Sequence, residues 1–561
     1  MQTLRTQIAQ LIRMALQEAQ VVGDLAAFEL PDVVVSPSRH ASHGDYGTPV
    51  CLGLARVLRR APIQIAQAVV PHIPAAEYIA EVTVAPPGYI NFTLDAAWLG
   101  QQVPAILDAG EDWGRLDIGA GQRVQVEFVS ANPTGPLHIG SARNAVIGDT
   151  LAAVFAAAGY TVEREYYVND AGSKVRKFGT SIFARYAELL GADFTAPEDI
   201  YPGAYVIEMA RQVVASEGRR YLDMDLADAV RELGRWGIDA VLQQVREDMA
   251  HLRIHFDTWF RESTLYQSGL FDQMMDTLRA GGYILEYDGA TWFTHPDLEK
   301  DAVLIRSPRI IPNPAERPTY LASDIPYLWN KVQVRKFDKA IYIWGADHHG
   351  DVPRVQAAAQ AVGVDPDRLV FIIYQMVNLM RSGEEVRMSK SSGEFVTLRE
   401  LVDEVGPDPI RFMMLTRTVD VTLDFDLDLV VEQSDRNPVY YVQYAHTRIA
   451  GVLRKAGAAG LDPHVMGNPA LLTHPSELAL IRKMLALPEI IAIAAHNMAP
   501  HHLTLYATEL ASMFSAFYRD CRVVAPESLA LSNARLMLAR ATKAVLARVL
   551  HLMGMDAPEQ M

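Results

Sequence analysis

Cysteine is nearly absent from this chain: Cys51 and Cys521 are the two in 561 residues. That excludes a disulfide framework and a cysteine-ligated zinc cluster. Long apolar runs are missing as well, so no stretch reads as a membrane span. The opening residues, MQTLRTQIAQLIRMAL, lack a secretory pattern and read instead as an amphipathic helix of a cytoplasmic protein. Positive charge is outweighed, with 51 Lys and Arg against 67 Asp and Glu and a formal charge of −16. A uniformly basic coat for nucleic acid is thereby excluded. No internal repeat or low-complexity tract is present. What remains is an ordinary globular composition, 50% hydrophobic and 21% charged, long enough for about three or four domains.

The charge is unevenly spread. Residues 437–561 hold 11 Lys and Arg against 8 Asp and Glu, a net of +3, so the rest of the chain carries −19. Within residues 532–555 lie Arg535, Arg540, Lys543 and Arg548 and no acid. A local basic face on an acidic protein suits a polyanion bound at defined places; a solvated helix face is the alternative.

Local patterning marks two parts of the chain before residue 437. Residues 1–115 predict an α+β unit: a helix over 3–19, a β-prone run at 32–35, helical segments at 51–60 and 63–70, and a strand pair at 79–84 and 89–94. The turn Ala85-Pro86-Pro87-Gly88 joins that pair. Residues 116–436 predict a Rossmann-like domain with a parallel sheet. Residues 170–285 interrupt it as a helical insertion, and the sheet is expected to resume at 302–305 and 318–322.

The second part is organised around residues 124–158. Val124, Val126 and Phe128 alternate with polar residues as in a strand. Ala131-Asn132-Pro133-Thr134-Gly135-Pro136 then breaks the run with turn chemistry. From Leu137 a helical spacing follows, and a second β-rich run occupies residues 161–168. In open α/β sheets, a turn of this kind lies where ligands bind. His138 and Gly140 open the helix, whose N-terminus favours phosphate. Gly140 permits close approach to the backbone, and His138 can bond a phosphate oxygen. The other reading of His138 is a polar first-turn residue.

Further candidates follow downstream. A strand over 318–322 places Tyr320, Ala322 and Asp324 on one face, with Asp324 at its end before a helix starting near Pro326. Asp324 then serves a cationic substrate or caps that helix. Residues 339–344 read as a buried strand ending in Gly345-Ala346-Asp347-His348-His349-Gly350-Asp351. This cluster suits a metal or a nucleoside, with Asp347 and a histidine on ribose hydroxyls. After a β-rich run at 369–374, Gly383 and Gly393 bracket a loop carrying Arg387, Met388, Ser389 and Lys390. Its cations suit nucleotidyl transfer, because such contacts form mainly in the transition state; a basic surface loop is the alternative.

Ala131-Asn132-Pro133-Thr134-Gly135-Pro136-Leu137-His138-Ile139-Gly140-Ser141 and Met388-Ser389-Lys390-Ser391 together resemble the paired signatures of class I aminoacyl-tRNA synthetases. The residues running from Glu127 into the first signature narrow the resemblance to the arginyl-tRNA synthetases. So do Tyr166-Tyr167-Val168-Asn169-Asp170-Ala171-Gly172, Trp344-Gly345-Ala346-Asp347-His348-His349-Gly350 and the closing Leu552-Met553-Gly554-Met555. Pro86-Pro87-Gly88-Tyr89-Ile90-Asn91-Phe92 resembles that family's N-terminal domain.

The resemblance implies ATP-dependent attachment of L-arginine to its tRNA through an arginyl-adenylate. It implies Glu127, Asn132, Tyr320 and Asp324 around arginine, and His138 and Lys390 on the α-phosphate. Gly140, Gly345, Asp347, His349, Met388 and Ser389 complete the ATP site. It further implies Mg²⁺ with ATP, no structural zinc, a monomer, a C-terminal all-α bundle over residues 437–561, and tRNA contacts from both terminal domains. Two positions depart from the family pattern: Ser141 replaces the first signature's second histidine, and Arg387 replaces the lysine opening the second. Ser141 leaves a second reading, a catalytically weakened paralogue that binds tRNA or another RNA.

Overall fold

The computed structural model describes residues 2–38, 40–386, 396–525 and 527–561. It is a multi-domain α/β chain with an N-terminal α+β unit, a central parallel sheet carrying a helical insertion, and C-terminal helices.

In the N-terminal unit, the helix Leu4–Val21 starts at Thr3, whose side chain accepts from the Thr6 N–H. Its Leu4, Ile8, Ile12, Ala15, Leu16 and Ala19 are buried, the one-sided spacing of a surface helix. The antiparallel sheet runs Ser36–Pro37, Tyr46–Thr48, Tyr89–Leu94, Ile79–Ala85 in space. The β-prone run at 32–35 is not a strand. Thr48 Oγ1 donates to the Val34 carbonyl at 2.7 Å, so a side chain takes the place of a ladder partner.

The central sheet has five parallel strands in the order Leu369–Tyr374, Lys339–Gly345, Arg123–Glu127, Thr161–Val168, Thr258–Arg261. The chain builds outward from Arg123–Glu127 on one side, then returns to build on the other. The order therefore reverses between Arg123–Glu127 and Lys339–Gly345, and open α/β sheets bind ligands in the crevice outside the strand ends at such a point.

The insertion packs Ser173–Leu189, Ala204–Glu217 and Leu226–His251 together. The sheet resumes at Thr258–Arg261, earlier than expected. Its four residues carry little strand signal alone; Trp259 stacks on Tyr166 with ring centroids 4.6 Å apart, a tertiary contact that supplies what local preference lacks. Ala302–Ile305 belongs instead to a separate antiparallel sheet with Ala290–Phe293 and Ile284–Tyr287. Residues 318–322 are not a strand: the helix Tyr320–Trp329 begins there.

The C-terminal helices are Pro438–Ala458, Pro475–Leu485, Leu487–Asn497, His502–Asp520 and Leu529–Leu552. They grip the N-terminal unit through buried Glu489, which pairs with Arg5 at 2.8 Å and accepts from the Tyr46 hydroxyl at 3.1 Å. Among the described residues, no helix is long and apolar enough to cross a membrane.

Candidate functional site at the sheet reversal

The strand Arg123–Glu127 leaves regular geometry as it enters the crevice. Val129 and Ser130 have φ of 64° and 41°, a left-handed conformation costing about 1–3 kcal/mol each for side chains of this kind. The surroundings hold the turn in place. Asn144 accepts from the Val129 N–H at 2.7 Å and donates to the Ile343 carbonyl at 2.9 Å. Tyr166 donates to the Ala131 carbonyl at 2.9 Å, and Tyr205 of the insertion donates to Thr134 at 2.7 Å.

His138 caps the helix Ile139–Ala157, its Nδ1 accepting from the Gly140 N–H at 3.1 Å. A Cβ at Gly140 would lie 2.9 Å from His138 Cε1, so glycine here keeps the imidazole seated. Ser141 is buried in the same first turn. Arg143, wholly buried, donates to the carbonyls of Gln375 at 2.8 Å and Thr418 at 2.9 Å. It ties this helix to the chain leading into the strand Val377–Arg381. Arg387, Met388, Ser389 and Lys390 lie outside the described residues. Beyond them, Thr397 pairs with His138 in an isolated bridge, and the Leu398 N–H donates to Leu137 at 2.8 Å.

Opposite, Glu127 is buried at the strand's end. Its Oε1 accepts from Ser130 Oγ at 3.1 Å, and its Oε2 meets Lys331 Nζ at 2.5 Å. The helix Tyr320–Trp329 packs across the crevice. Asp324 is neither a strand end nor a helix cap: it lies inside this helix, four residues from Tyr320 and on the same face. Thr319 holds the cap position, but its hydroxyl donates to Val303 at 2.8 Å. Pro326 sits within the helix rather than at its start.

The Asp324 carboxyl is held well above the usual carboxylate range, by desolvation first, then by Glu127, Glu262 and Asp351, with Lys331 opposing. Glu262 is itself buried and its carboxyl is raised, chiefly by desolvation; Ser323 Oγ donates to it at 2.6 Å. The Tyr167 hydroxyl, near the same acids, is buried with no hydrogen-bond partner among the described residues. Three carboxylates crowd this space, opposed among the described residues by Lys331 at Asp324 and by Lys174 at Glu262, and such a pocket favours a cationic ligand.

The structure thus brings Glu127 and Asp324 together. Tyr320 stands 53% exposed with the Lys174 ammonium 4.9 Å from its ring centre, and Asn132 is exposed on the turn. Gly345 ends its strand, and a Cβ there would lie 2.6 Å from Asp347 Oδ1. Asp347 and His349 follow on an exposed 3₁₀ turn, Ala346–Asp351. Among the described residues, no group of three or more His, Cys, Asp or Glu is placed to hold a metal ion. Sequence reasoning missed Lys331, Glu262 and Tyr167. Lys331 had a signal: Tyr320, Asp324, Tyr327 and Lys331 follow at steps of four, three and four, a single helical stripe.

Residues 102–450 match the family described as "tRNA synthetases class I (R), catalytic domain". Residues 6–94 match "Arginyl tRNA synthetase N terminal domain", and residues 442–561 match "DALR anticodon binding domain". The arginine–tRNA ligase of Dehalococcoides mccartyi is 45% identical over 549 residues, spanning 98% of this chain and 97% of its own. The chain belongs to the arginyl-tRNA synthetase family. The arginine–tRNA ligase of Heliobacterium modesticaldum is 44% identical over 568 residues, 100% of this chain and 99% of its own. The solved arginyl-tRNA synthetase of Thermus thermophilus has the same fold, with a TM-score of 0.77 at 24% identity over 100% of both chains.

In this arginyl-tRNA synthetase, the basic run at 532–555 is largely committed within the fold. Arg535 pairs with Glu477 at 2.7 Å, Arg540 donates to the His464 carbonyl at 2.8 Å, and Lys543 pairs with Glu559. A groove elsewhere on the C-terminal helices is lined by Val452, Lys455, Tyr518, Arg519, Arg522, Val523 and Val524, with Arg519 paired to Asp520 at 2.8 Å and Arg522 to Glu527 at 3.3 Å. Arg448 lies 4.6 Å from the Tyr518 ring centre. The residues come from separate helices, so no single run of sequence reveals the groove.

Proposed function

We propose that the crevice at the sheet reversal is where this arginine–tRNA ligase activates arginine with ATP and passes the arginyl group to tRNA. Asp324 accepts from the guanidinium, whose planar fork suits a carboxylate. Glu127, Tyr320 and Asn132 complete the arginine pocket. His138, Gly140 and Ser141 lie under the ATP phosphates. Arg387, Met388, Ser389 and Lys390 approach those phosphates, and Gly345, Asp347 and His349 take the adenosine. Magnesium enters with ATP as part of the substrate, as it does where phosphates supply its ligands.

The arginine carboxylate attacks the α-phosphorus and pyrophosphate leaves. A terminal ribose hydroxyl of tRNA then attacks the carbonyl carbon of arginyl-adenylate, and AMP leaves. The charge that develops on the phosphate oxygens lies against the helix N-terminus, which needs no rearrangement to stabilise it. The C-terminal helices and the N-terminal unit hold the tRNA, and the protein works as a cytoplasmic monomer.

The observation that carries this reading is the crowding of Asp324 with Glu127 and Glu262 opposite the helix capped by His138. A binding-only protein rests on Ser141 alone. The test is ATP–pyrophosphate exchange with a panel of amino acids, with and without tRNA, followed by tRNA charging. Arginine-specific exchange that depends on tRNA is expected. Exchange with another amino acid refutes the arginine pocket, and folded protein that charges no arginine tRNA refutes the ligase reading.

A further inference from the structure

Lys331 has no exposed surface. A buried ammonium persists only where something repays its lost hydration. Here Glu127 Oε2 does so at 2.5 Å, while the ring centres of Tyr342 and Tyr327 lie 3.7 and 4.0 Å from Nζ. Lys331 reaches this position from a π-helical turn, Asn330–Val334, that continues the helix bearing Asp324. Such widened turns recur at functional sites.

The consequence falls on the carboxylates. Both oxygens of Glu127 are taken from inside the protein, by Ser130 and Lys331. Among the described residues none donates a hydrogen bond to the Asp324 carboxylate. We propose that Lys331 is a positioning residue for arginine: it holds the charge of Glu127 and so leaves Asp324 as the carboxylate presented to the guanidinium. This rests on the arginine pocket proposed above.

The surrounding charges set what removal of Lys331 does. Asp324 faces Glu127, Glu262 and Asp351, together with Tyr167, Tyr266 and Tyr342. Lys331 faces Glu127 and Glu165, with Arg335 on the far side and Tyr327 and Tyr342 around it. Without the ammonium, the Glu127 carboxylate bears on Asp324 uncompensated, and Asp324 ionises at a higher pH. Arginine recognition then fails sooner as the pH falls.

The experiment is the pH profile of kcat/KM for arginine in tRNA charging, with thermal melts, for wild type and Lys331→Met, Lys331→Gln and Lys331→Arg. In Lys331→Met the acid limb is expected to rise by about one pH unit, the effect of losing one close opposite charge. At a fixed pH below both limbs this is about a tenfold loss, appearing in the KM for arginine and not in that for ATP. Lys331→Gln gives the same shift and serves where Lys331→Met does not fold. Lys331→Arg keeps the wild-type limb even if its melt is lower. In a Glu127→Gln background, Lys331→Met should no longer move the limb. Lowered melts with unmoved acid limbs in Lys331→Met and Lys331→Gln would overturn the proposal and leave Lys331 a structural residue. A limb that moves equally far in the Glu127→Gln background would overturn it too, since the ammonium would then serve another acid. Wild-type protein that charges no arginine would sink the arginine pocket itself; normal wild-type charging with unmoved limbs in the variants sinks only the role of Lys331.

Discussion

Asp324→Asn separates recognition from architecture. Asp324 lies inside the helix Tyr320–Trp329, so the substitution removes no cap, and asparagine preserves its shape. The wild-type carboxyl is raised by burial and by Glu127, Glu262 and Asp351. An acid whose pKa is higher folded than unfolded costs stability at pH above both values. The variant should therefore melt at the same temperature as wild type or higher. Its loss is in recognition: the guanidinium keeps its charge and loses the carboxylate that answers it. Breaking one member of a buried charge pair costs on the order of 2–5 kcal/mol, roughly 30- to 4,000-fold in kcat/KM for arginine. The upper end requires that Glu127 contribute nothing further; its pairing with Lys331 makes that a reasonable bound. Citrulline has the same length without the charge, so its kcat/KM should change far less. The assay is the arginine-to-citrulline ratio of kcat/KM in tRNA charging, read beside a thermal melt. An unchanged ratio with an unchanged melt removes Asp324 from the pocket; an unchanged ratio with a lowered melt makes it a structural residue.

Arginine binding should release protons under mildly acidic conditions, because a guanidinium favours the ionised form of the raised Asp324 carboxyl; calorimetry in buffers of different ionisation enthalpy measures this, and a proton count of zero at every pH from the usual carboxylate range up to neutrality refutes it. Lys390→Ala should lower the charging kcat about 100-fold with little change in the arginine KM, on the scale of one lost transition-state contact; an effect confined to KM would make it a ground-state ligand. A Cβ at Gly148 would overlap the Phe128 side chain, so Gly148→Ala should cost about 1–3 kcal/mol by overpacking, and an unshifted melt would mean that the strand and helix separate without penalty.

The first two parts were legible in local pattern, one-sided helical spacing over residues 3–19 and alternation around Val124–Phe128 with turn chemistry after it, whereas the C-terminal bundle was legible only through the family resemblance. The errors share a cause. Thr258–Arg261 is a strand because Tyr166 and Glu165 of the neighbouring strand lie beside it, and four residues cannot announce a neighbour 90 positions away. Residues 318–322 misled in the other direction. Pro318 and Thr319 alone keep an extended pairing, Pro318 with Ile305 and the Thr319 N–H with the Leu304 carbonyl at 2.8 Å. The Thr319-Tyr320-Leu321 run suggests a strand, while Pro326 resembles a helix start although it sits in the interior, where its missing N–H costs a helical bond.

The site divides along the same line. His138, Gly140, Glu127 and the turn between them are neighbours in sequence, so their motif carries their arrangement. Lys331 is different: its partners come from the strand Arg123–Glu127, the helix Tyr320–Trp329 and the strand Lys339–Gly345. Nothing in the local sequence around a lysine says that its ammonium will be buried between two phenol rings. The charge count does carry a trace of it. A pocket built only from Glu127, Asp324 and Glu262 would crowd three like charges into a desolvated space, which works against the charged form of an acid there. Protonated acids do not distinguish a guanidinium from an uncharged urea. A pocket that must select a cation with crowded acids therefore needs a cation of its own, held where the ligand does not displace it. Lys331, buried behind Glu127 and on the same helical stripe as Asp324, meets that requirement.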